Sequence, residues 1–262
     1  MRQRTKRLAG AVAVPLAGVL TLSAVTADAV TANAAPGQEA GESSDTRAAV
    51  TMDVGTHNVL RGAAAFKPIG DVIGWQEMND PADRKRLKNK LPRYNHFIPK
   101  KKPARAVPIS WRQDKFTFVR GHAVLTHKGE AKVTPNRYVT WALLEHRKTD
   151  ERLIVMNTHF ISGAWSKHPD RQGRWLKHAK KLRTVIKNQH GKHPKLPIFL
   201  VGDFNRHKAL KLPANVEYIR VKGAKGVPID QSYATDTVRT SKVKRLKRFG
   251  SDHHAYRFTA TF

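Results

Sequence analysis

Short apolar runs rich in β-branched and aromatic residues recur along the chain from Val50 onward, and their length and composition predict strands rather than helices. They are Met52–Val59, Asp71–Gln76, Ala106–Trp111, Tyr138–Glu145, Leu153–Phe160, Pro197–Val201 and His254–Phe262. Two other stretches predict helices. Pro81 to Leu91 follows Asp80, a suitable N-cap, and places Pro at the first helical position. Arg171 to Gln189 turns Trp175, Leu176, Ala179, Leu182, Val185 and Ile186 to one face, and Lys177, Lys180, Lys181, Arg183 and Lys187 mostly to the other. That is the pattern of a surface helix packed on a sheet. Many strands with few helices between them, and no repeat of 20–50 residues, imply an α+β fold in which helices cover a sheet sandwich.

The first residues break this pattern. Arg2, Arg4, Lys6 and Arg7 form a basic head before an apolar stretch from Leu8 to Val25, and the small-x-small sites Ala27-Asp28-Ala29 and Ala32-Asn33-Ala34 follow. This reads as an export signal over residues 1–34, cut at the second site, and it predicts a secreted protein without stable membrane insertion. Residues 35–49 are small, polar and unpatterned, and are expected to form a flexible leader. One catalytic domain then spans residues 50–262.

Charge and cysteine content narrow the chemistry. Forty-nine Lys and Arg against 20 Asp and Glu give a formal charge of +29, a positive field that suits a polyanionic partner but also serves solubility. With no Cys in the chain, neither a disulfide nor a thiolate ligand or nucleophile is available. Any metal must sit on carboxylate, amide or imidazole groups.

Five polar clusters fall at the ends of predicted strands, where a rigid scaffold can fix mutual geometry. They are Thr56-His57-Asn58, Gly74-Trp75-Gln76-Glu77, Met156-Asn157-Thr158-His159, Val201-Gly202-Asp203-Phe204-Asn205 and Ser251-Asp252-His253. Together and in this order they resemble the endonuclease/exonuclease/phosphatase (DNase I-like) superfamily over roughly residues 50–262. That resemblance implies a four-layer α/β sandwich, two packed mixed sheets flanked by helices, and a divalent-metal-dependent phosphodiesterase.

The residue types also suit phosphodiester cleavage on chemical grounds, because the charged phosphate needs a cation and the attacking water needs a base. Glu77, supported by Asn58 and Asp252, fits the sparse oxygen ligation of Mg²⁺, with Mn²⁺ or Ca²⁺ as alternatives. His253 suits the general base, since imidazole titrates near neutrality. By resemblance its carboxylate partner is Asp230, Asp203 and Asn205 orient the water, a second metal or the scissile phosphate, His159 donates to a non-bridging oxygen, and Arg137 contacts phosphate.

Three departures from the family pattern stand out. The segment between Asn58 and Glu77 is too short for the helix expected there, and Gln231-Ser232-Tyr233 is more polar than the strand expected after Asp230. Where relatives supply an acid for the position of His159, this chain has Lys100, Lys101, Lys102 and Arg105, which form either a clamp on phosphate backbone or a solvated loop. Near that loop only Trp111 and Trp165 are candidates for exposed stacking groups. The leading expectation is a monomeric, secreted nuclease of little base preference acting on DNA or RNA. The alternatives are a sphingomyelinase-like or inositol-phosphate phosphoesterase, and a catalytically inactive cationic nucleic-acid-binding protein.

Overall fold

The computed structural model describes residues 48–262, so the export signal and nearly all of the leader lie outside the described residues. The first sheet contains β1 (Thr51–Asn58), β2 (Val72–Gln76), β3 (Tyr94–Phe97), β4 (Ile109–Arg112), β11 (Arg239–Thr240), β12 (Lys244–Arg245) and β13 (Tyr256–Thr261). Its order is β11-β13-β1-β2-β4-β3, with β12 also paired to β13. The second contains β5 (Phe116–His127), β6 (Arg137–His146), β7 (Arg152–His159), β8 (Ile198–Asp203), β9 (Val216–Tyr218) and β10 (Asp230–Thr235), in the order β5-β6-β7-β8-β10-β9. Helix α1 is Pro81–Lys90 and α2 is Gln172–Lys192.

The two sheets bury their inner faces against each other: Met52, Val54, Val72 and Phe258 meet Leu153, Val155, Phe199 and Val201 in one core. A second core lies outside the second sheet, where Ile154, Met156 and Leu200 meet Trp175, Ala179, Leu182 and Ile186 of α2. A third lies outside the first sheet, where Ile73 and Trp75 meet Leu87 of α1. Four layers result. Strands buried on both faces have no room for polar alternation, which is why β7 and β8 read as unbroken apolar runs.

Both predicted helices form. Asp80 caps α1 by accepting from the Ala82 N–H at 2.7 Å, and Asp83 reaches back to the Asp80 N–H in a capping box. Leu176, expected on the buried face of α2, is 52% exposed instead, because the apolar stripe runs through Trp175, Ala179 and Leu182 and leaves position 176 beyond its edge.

The strands β3, β5, β9, β11 and β12 are additions to the sequence expectation. The longest, β5, is a sheet-edge strand exposed over much of its length, and Thr117, Arg120, Gly121 and His122 break its apolar residues into short pieces. Between Asn58 and Glu77 the chain turns without a helix, as the short spacing implied.

Register brings the polar clusters to one end. β1 runs parallel to β2 with Asn58 opposite Gln76, and β7 runs parallel to β8 with His159 opposite Asp203. The antiparallel neighbours then start at that same end, with Asp230 opening β10 opposite Asp203, and Arg137 opening β6 beside the end of β7. Tyr256 pairs with Thr56, so the 251–255 loop also lands there.

The sheets approach closely beneath this end. A Cβ on Gly74 would lie 2.5 Å from Val201 Cγ2 and 2.9 Å from Asn157 Oδ1. In the space that glycine leaves, the Asn157 amide accepts from Gln76 Nε2 at 2.7 Å and donates to the carbonyls of Trp75 and Pro108 at 2.7 and 2.8 Å. Buried polar groups so fully paired tie one sheet to the other.

Candidate active site

At the converged strand ends lies a cleft of about 420 Å³ whose walls include Glu77, Arg137, His159, Asp203, Asn205, Asp252 and His253. Asn58 and Asp230 sit beside it, held by their partners in the cleft. Asn58 Nδ2 donates to Glu77 Oε1 at 3.2 Å and to Asp203 Oδ2 at 3.0 Å, while its Oδ1 accepts from the Leu60 N–H at 3.1 Å. Asn58 therefore joins two acids as a donor and fixes the orientation of Glu77.

Glu77 follows β2 with φ of 64°, a conformation that costs a non-glycine residue energy and that its surroundings must hold. The Arg61 N–H helps by donating to Glu77 Oε2 at 3.1 Å. Asp252 is tied to the same floor: Ser251 Oγ donates to the Asn58 carbonyl at 2.7 Å and lies 3.3 Å from Asp252 Oδ1.

His253 and Asp230 form a second unit, with Nδ1 and Oδ2 2.8 Å apart. The other ring nitrogen, Nε2, faces the cleft acids, 3.9 Å from both Asp203 Oδ2 and Asp252 Oδ1. Burial opposes charge on this imidazole, but the Asp230 hydrogen bond and the carboxylates of Asp230, Asp203 and Asp252 outweigh it and lift the group to about 9. Asp230 is itself pushed upward by burial, and its Oδ1 has no hydrogen-bond partner among the described residues.

Asp203 is the hub. Its Oδ1 accepts from the Asn205 N–H at 2.8 Å in an Asx turn, with Asn205 at φ of 49° and its Nδ2 donating to the Phe160 carbonyl at 3.2 Å. Burial, then the Asp230 charge, raise the Asp203 carboxyl to about 7. Gly202 before it must be glycine, because a Cβ there would stand 2.2 Å from the Thr158 carbonyl oxygen.

His159 Nε2 lies 3.3 Å from Asp203 Oδ2. Burial, reinforced by the Arg137 charge, drives this histidine well below the ordinary imidazole range, so it is neutral. Asp203 is thus the carboxylate beside His159.

A model of the endonuclease/exonuclease/phosphatase family matches residues 41–253. The chain belongs to that family. Its members are hydrolases of phosphoester bonds, and that is the reaction class of this chain. The fold agrees. An endonuclease/exonuclease/phosphatase family protein of Bacteroides thetaiotaomicron superposes with a TM-score of 0.65 at 16% identity, covering 82% of this chain and 99% of that one. A mannosyl-6-phosphatase of the same species gives 0.63 at 17%, covering 80% and 100%. D. rerio TDP2 complexed with a single-strand DNA product gives 0.60 at 17%, covering 80% and 98%. Among curated proteins nothing matches.

Within this family site, two arginines of the cleft wall escaped the sequence reading. Arg61 and Arg171 join Arg137 on the wall, and only their placement, in the turn after β1 and at the start of α2, distinguishes them from the other basic residues. Arg137 is the most enclosed of the three: burial opposes its charge, Asp203 and Glu77 favour it, and its Nε has no partner among the described residues.

The basic stretch behaves differently. Pro103, Ala106 and Val107 line the cleft, whereas Lys100, Lys101 and Lys102 are exposed beside it and Arg105 Nε donates to the Lys100 carbonyl at 2.9 Å. Trp111 is not exposed. It is 3% accessible and stacks on Phe118 at 5.5 Å, because β4 lies between two strands with that side chain in the inter-sheet core. Trp165 is 37% exposed, with the Arg206 guanidinium 3.8 Å from its ring centre.

Proposed function

We propose that this protein is a secreted, divalent-metal-dependent phosphodiesterase that cuts DNA or RNA with little base preference. The observation that carries the reading is the pairing of an imidazole–carboxylate unit, His253 and Asp230 at 2.8 Å, with three guanidinium residues lining the cleft. That arrangement supplies a base for water beside a receptor for a charged phosphodiester.

A hard divalent cation fits the donors present. Glu77 and Asp252 present carboxylates to the cleft beside the Asp203 carboxyl, which burial and the Asp230 charge push upward, an accumulation of acid that a cation would relieve. Glu77 and Asp252 would hold the ion, with Asn58 fixing the orientation of Glu77; Mg²⁺ suits so sparse an oxygen set. When bound, it supplies charge neutralisation at the phosphate oxygens.

The residues of the chain do the rest. Arg137 and neutral His159 hold non-bridging oxygens, His159 by donating a hydrogen bond. Asp203 and Asn205 orient the water. His253 acts from its neutral form, which a cation held by Glu77 and Asp252 would favour by offsetting the carboxylates that otherwise keep the ring protonated. As the water oxygen bonds to phosphorus and the ester P–O bond breaks, a water proton passes to His253 Nε2, Asp230 keeps the proton on Nδ1, and the leaving alkoxide takes a proton from solvent.

Nucleic acid is favoured among phosphodiesters by the formal charge of +29 and by the three arginines that line the cleft. The apolar stretch at Leu8 to Val25 after a basic head supports export. No helix of the described residues is long and apolar enough to cross a membrane. The test is to assay purified protein with Mg²⁺ against plasmid DNA, RNA, sphingomyelin and inositol phosphates. Cutting of nucleic acid is expected, and head-group release without cutting of DNA or RNA would overturn the reading.

A further inference from the structure

Helix α2 carries no acidic residue between Arg171 and Lys192. Its exposed face repeats Lys177, Lys180, Lys181 and Lys187 within about 15 Å of helix axis. Lys177 and Lys181 are an i,i+4 like-charge pair, as are Arg183 and Lys187, and such pairs weaken a helix. A solvated face ordinarily interleaves Glu with Lys and gains from it. Among the described residues the four lysines make no ion pair, and the acids near this helix, Asp170 and Glu130, are taken by Arg174 at 3.6 and 2.8 Å.

This face is also continuous with the active cleft. Arg171 at the helix start lines the cleft, and Arg174, one turn on, donates to Thr134 Oγ1 at 3.2 Å, while Thr134 itself lines the cleft. On the far side of that 128–136 loop, Lys128 and Arg174 wall a groove with Lys177, Lys180 and Lys181. A second groove continues from Lys180 and Lys187 to Lys211.

We infer that the basic face of α2 is a docking track for the phosphate backbone of a nucleic-acid strand leaving the cleft past the 128–136 loop. The partner follows from charge complementarity: a row of unpaired ammonium groups spread over about 15 Å of helix meets a polymer with a charge at every sugar, and each contact releases a counterion. The track rests on the nucleic-acid reading of the site, and binding can be tested apart from hydrolysis.

The experiment replaces Lys177, Lys180, Lys181 and Lys187 together with Gln, and in a second variant with Arg. Binding of a 30-nucleotide single strand is followed by fluorescence anisotropy across a salt series, with thermal melting as the check on folding. The Gln variant is expected to bind at least tenfold more weakly at about 0.1 M salt and to lose about three units from the slope of log K against log salt. The Arg variant restores both. The melting temperature of the Gln variant should equal or exceed that of the parent, since like-charge repulsion has been removed. Unchanged affinity and slope, no strand binding by the parent, or loss of binding only to phosphatidylglycerol vesicles would each overturn the track. Strand binding that depends on these lysines, without any hydrolysis, would leave the track standing and remove the nuclease reading instead.

Discussion

Asp230 opens a strand and His253 sits in the loop before another, in different sheets, yet their side chains meet at 2.8 Å from Oδ2 to Nδ1. The contact fixes which imidazole nitrogen faces the cleft. His253→Ala should lower turnover by about 10² or more with little change in KM, as expected when a group acts mainly in the transition state. Asp230→Asn should lower turnover too, because an amide nitrogen presented to Nδ1 disfavours the required tautomer. Near-parental turnover in His253→Ala around neutral pH would remove His253 as the base.

Chelation tests the carboxylates of Glu77 and Asp252. Activity should vanish in excess chelator and return with Mg²⁺ or Mn²⁺, and Glu77→Gln should raise the metal concentration for half-maximal activity by about tenfold or more, since one charged ligand becomes neutral. Metal titrations of both proteins measure this. Full activity after exhaustive metal removal sinks the mechanism.

Gly74 offers a test of how the site is supported. Gly74→Ala puts a methyl against Val201 and against an Asn157 amide whose hydrogen bonds to Gln76, Trp75 and Pro108 leave it no room to yield. We expect a loss of about 1–3 kcal/mol in urea denaturation, as for other overpacked cores. Activity should fall as well, because Gln76 precedes Glu77. A stable and fully active variant would show that the sheets part easily.

Much of this site was legible because its residues end apolar strands: Asn58, Glu77, His159 and Asp203 each follow a run whose pattern gives away both strand and direction. Asp230 was harder to place on sequence grounds, since β10 is entirely buried yet reads Asp-Gln-Ser-Tyr-Ala-Thr. Gln231 finds its partner far along the chain, its Nε2 donating to the Arg206 carbonyl at 2.7 Å, and no local pattern encodes such a partner. Arg61 and Arg171 were hidden for another reason. In a chain with 49 basic residues, only tertiary placement tells a cleft arginine from a surface one. Trp111 misled for the same reason in reverse, a large side chain next to a basic loop that the sheets enclose.

The last prediction concerns stability against pH and rests on two buried histidines away from the proposed metal residues. His178 donates from Nε2 to Thr158 Oγ1 at 2.8 Å, since the Thr158 hydroxyl proton goes to the Tyr138 carbonyl, and its Nδ1 has no partner among the described residues. Burial, with the charges of His127 and Arg137, holds it well below the usual 6.5. His96 Nδ1 lies 2.7 Å from Ser110 Oγ, which already accepts from Trp75 Nε1, so the serine proton points at the imidazole and disfavours protonation there. Burial, with Lys88, lowers His96 to about 4. Both folded-state values are depressed, so the unfolded chain binds more protons than the folded one below pH 6.5. The stability is intact above that value and is lost as pH falls from 6.5 toward 4, at up to about 1.4 kcal/mol per pH unit for each histidine. Urea midpoints between pH 7 and 5 should therefore decline before most carboxylates titrate. The double variant His96→Gln and His178→Gln should start less stable, having lost the ring that stacks on Phe160 at 3.8 Å, but decline less over that window. A parent midpoint that stays flat from pH 7 to 5, or a double variant that falls as steeply as the parent, would show that these imidazoles are not held neutral by the fold.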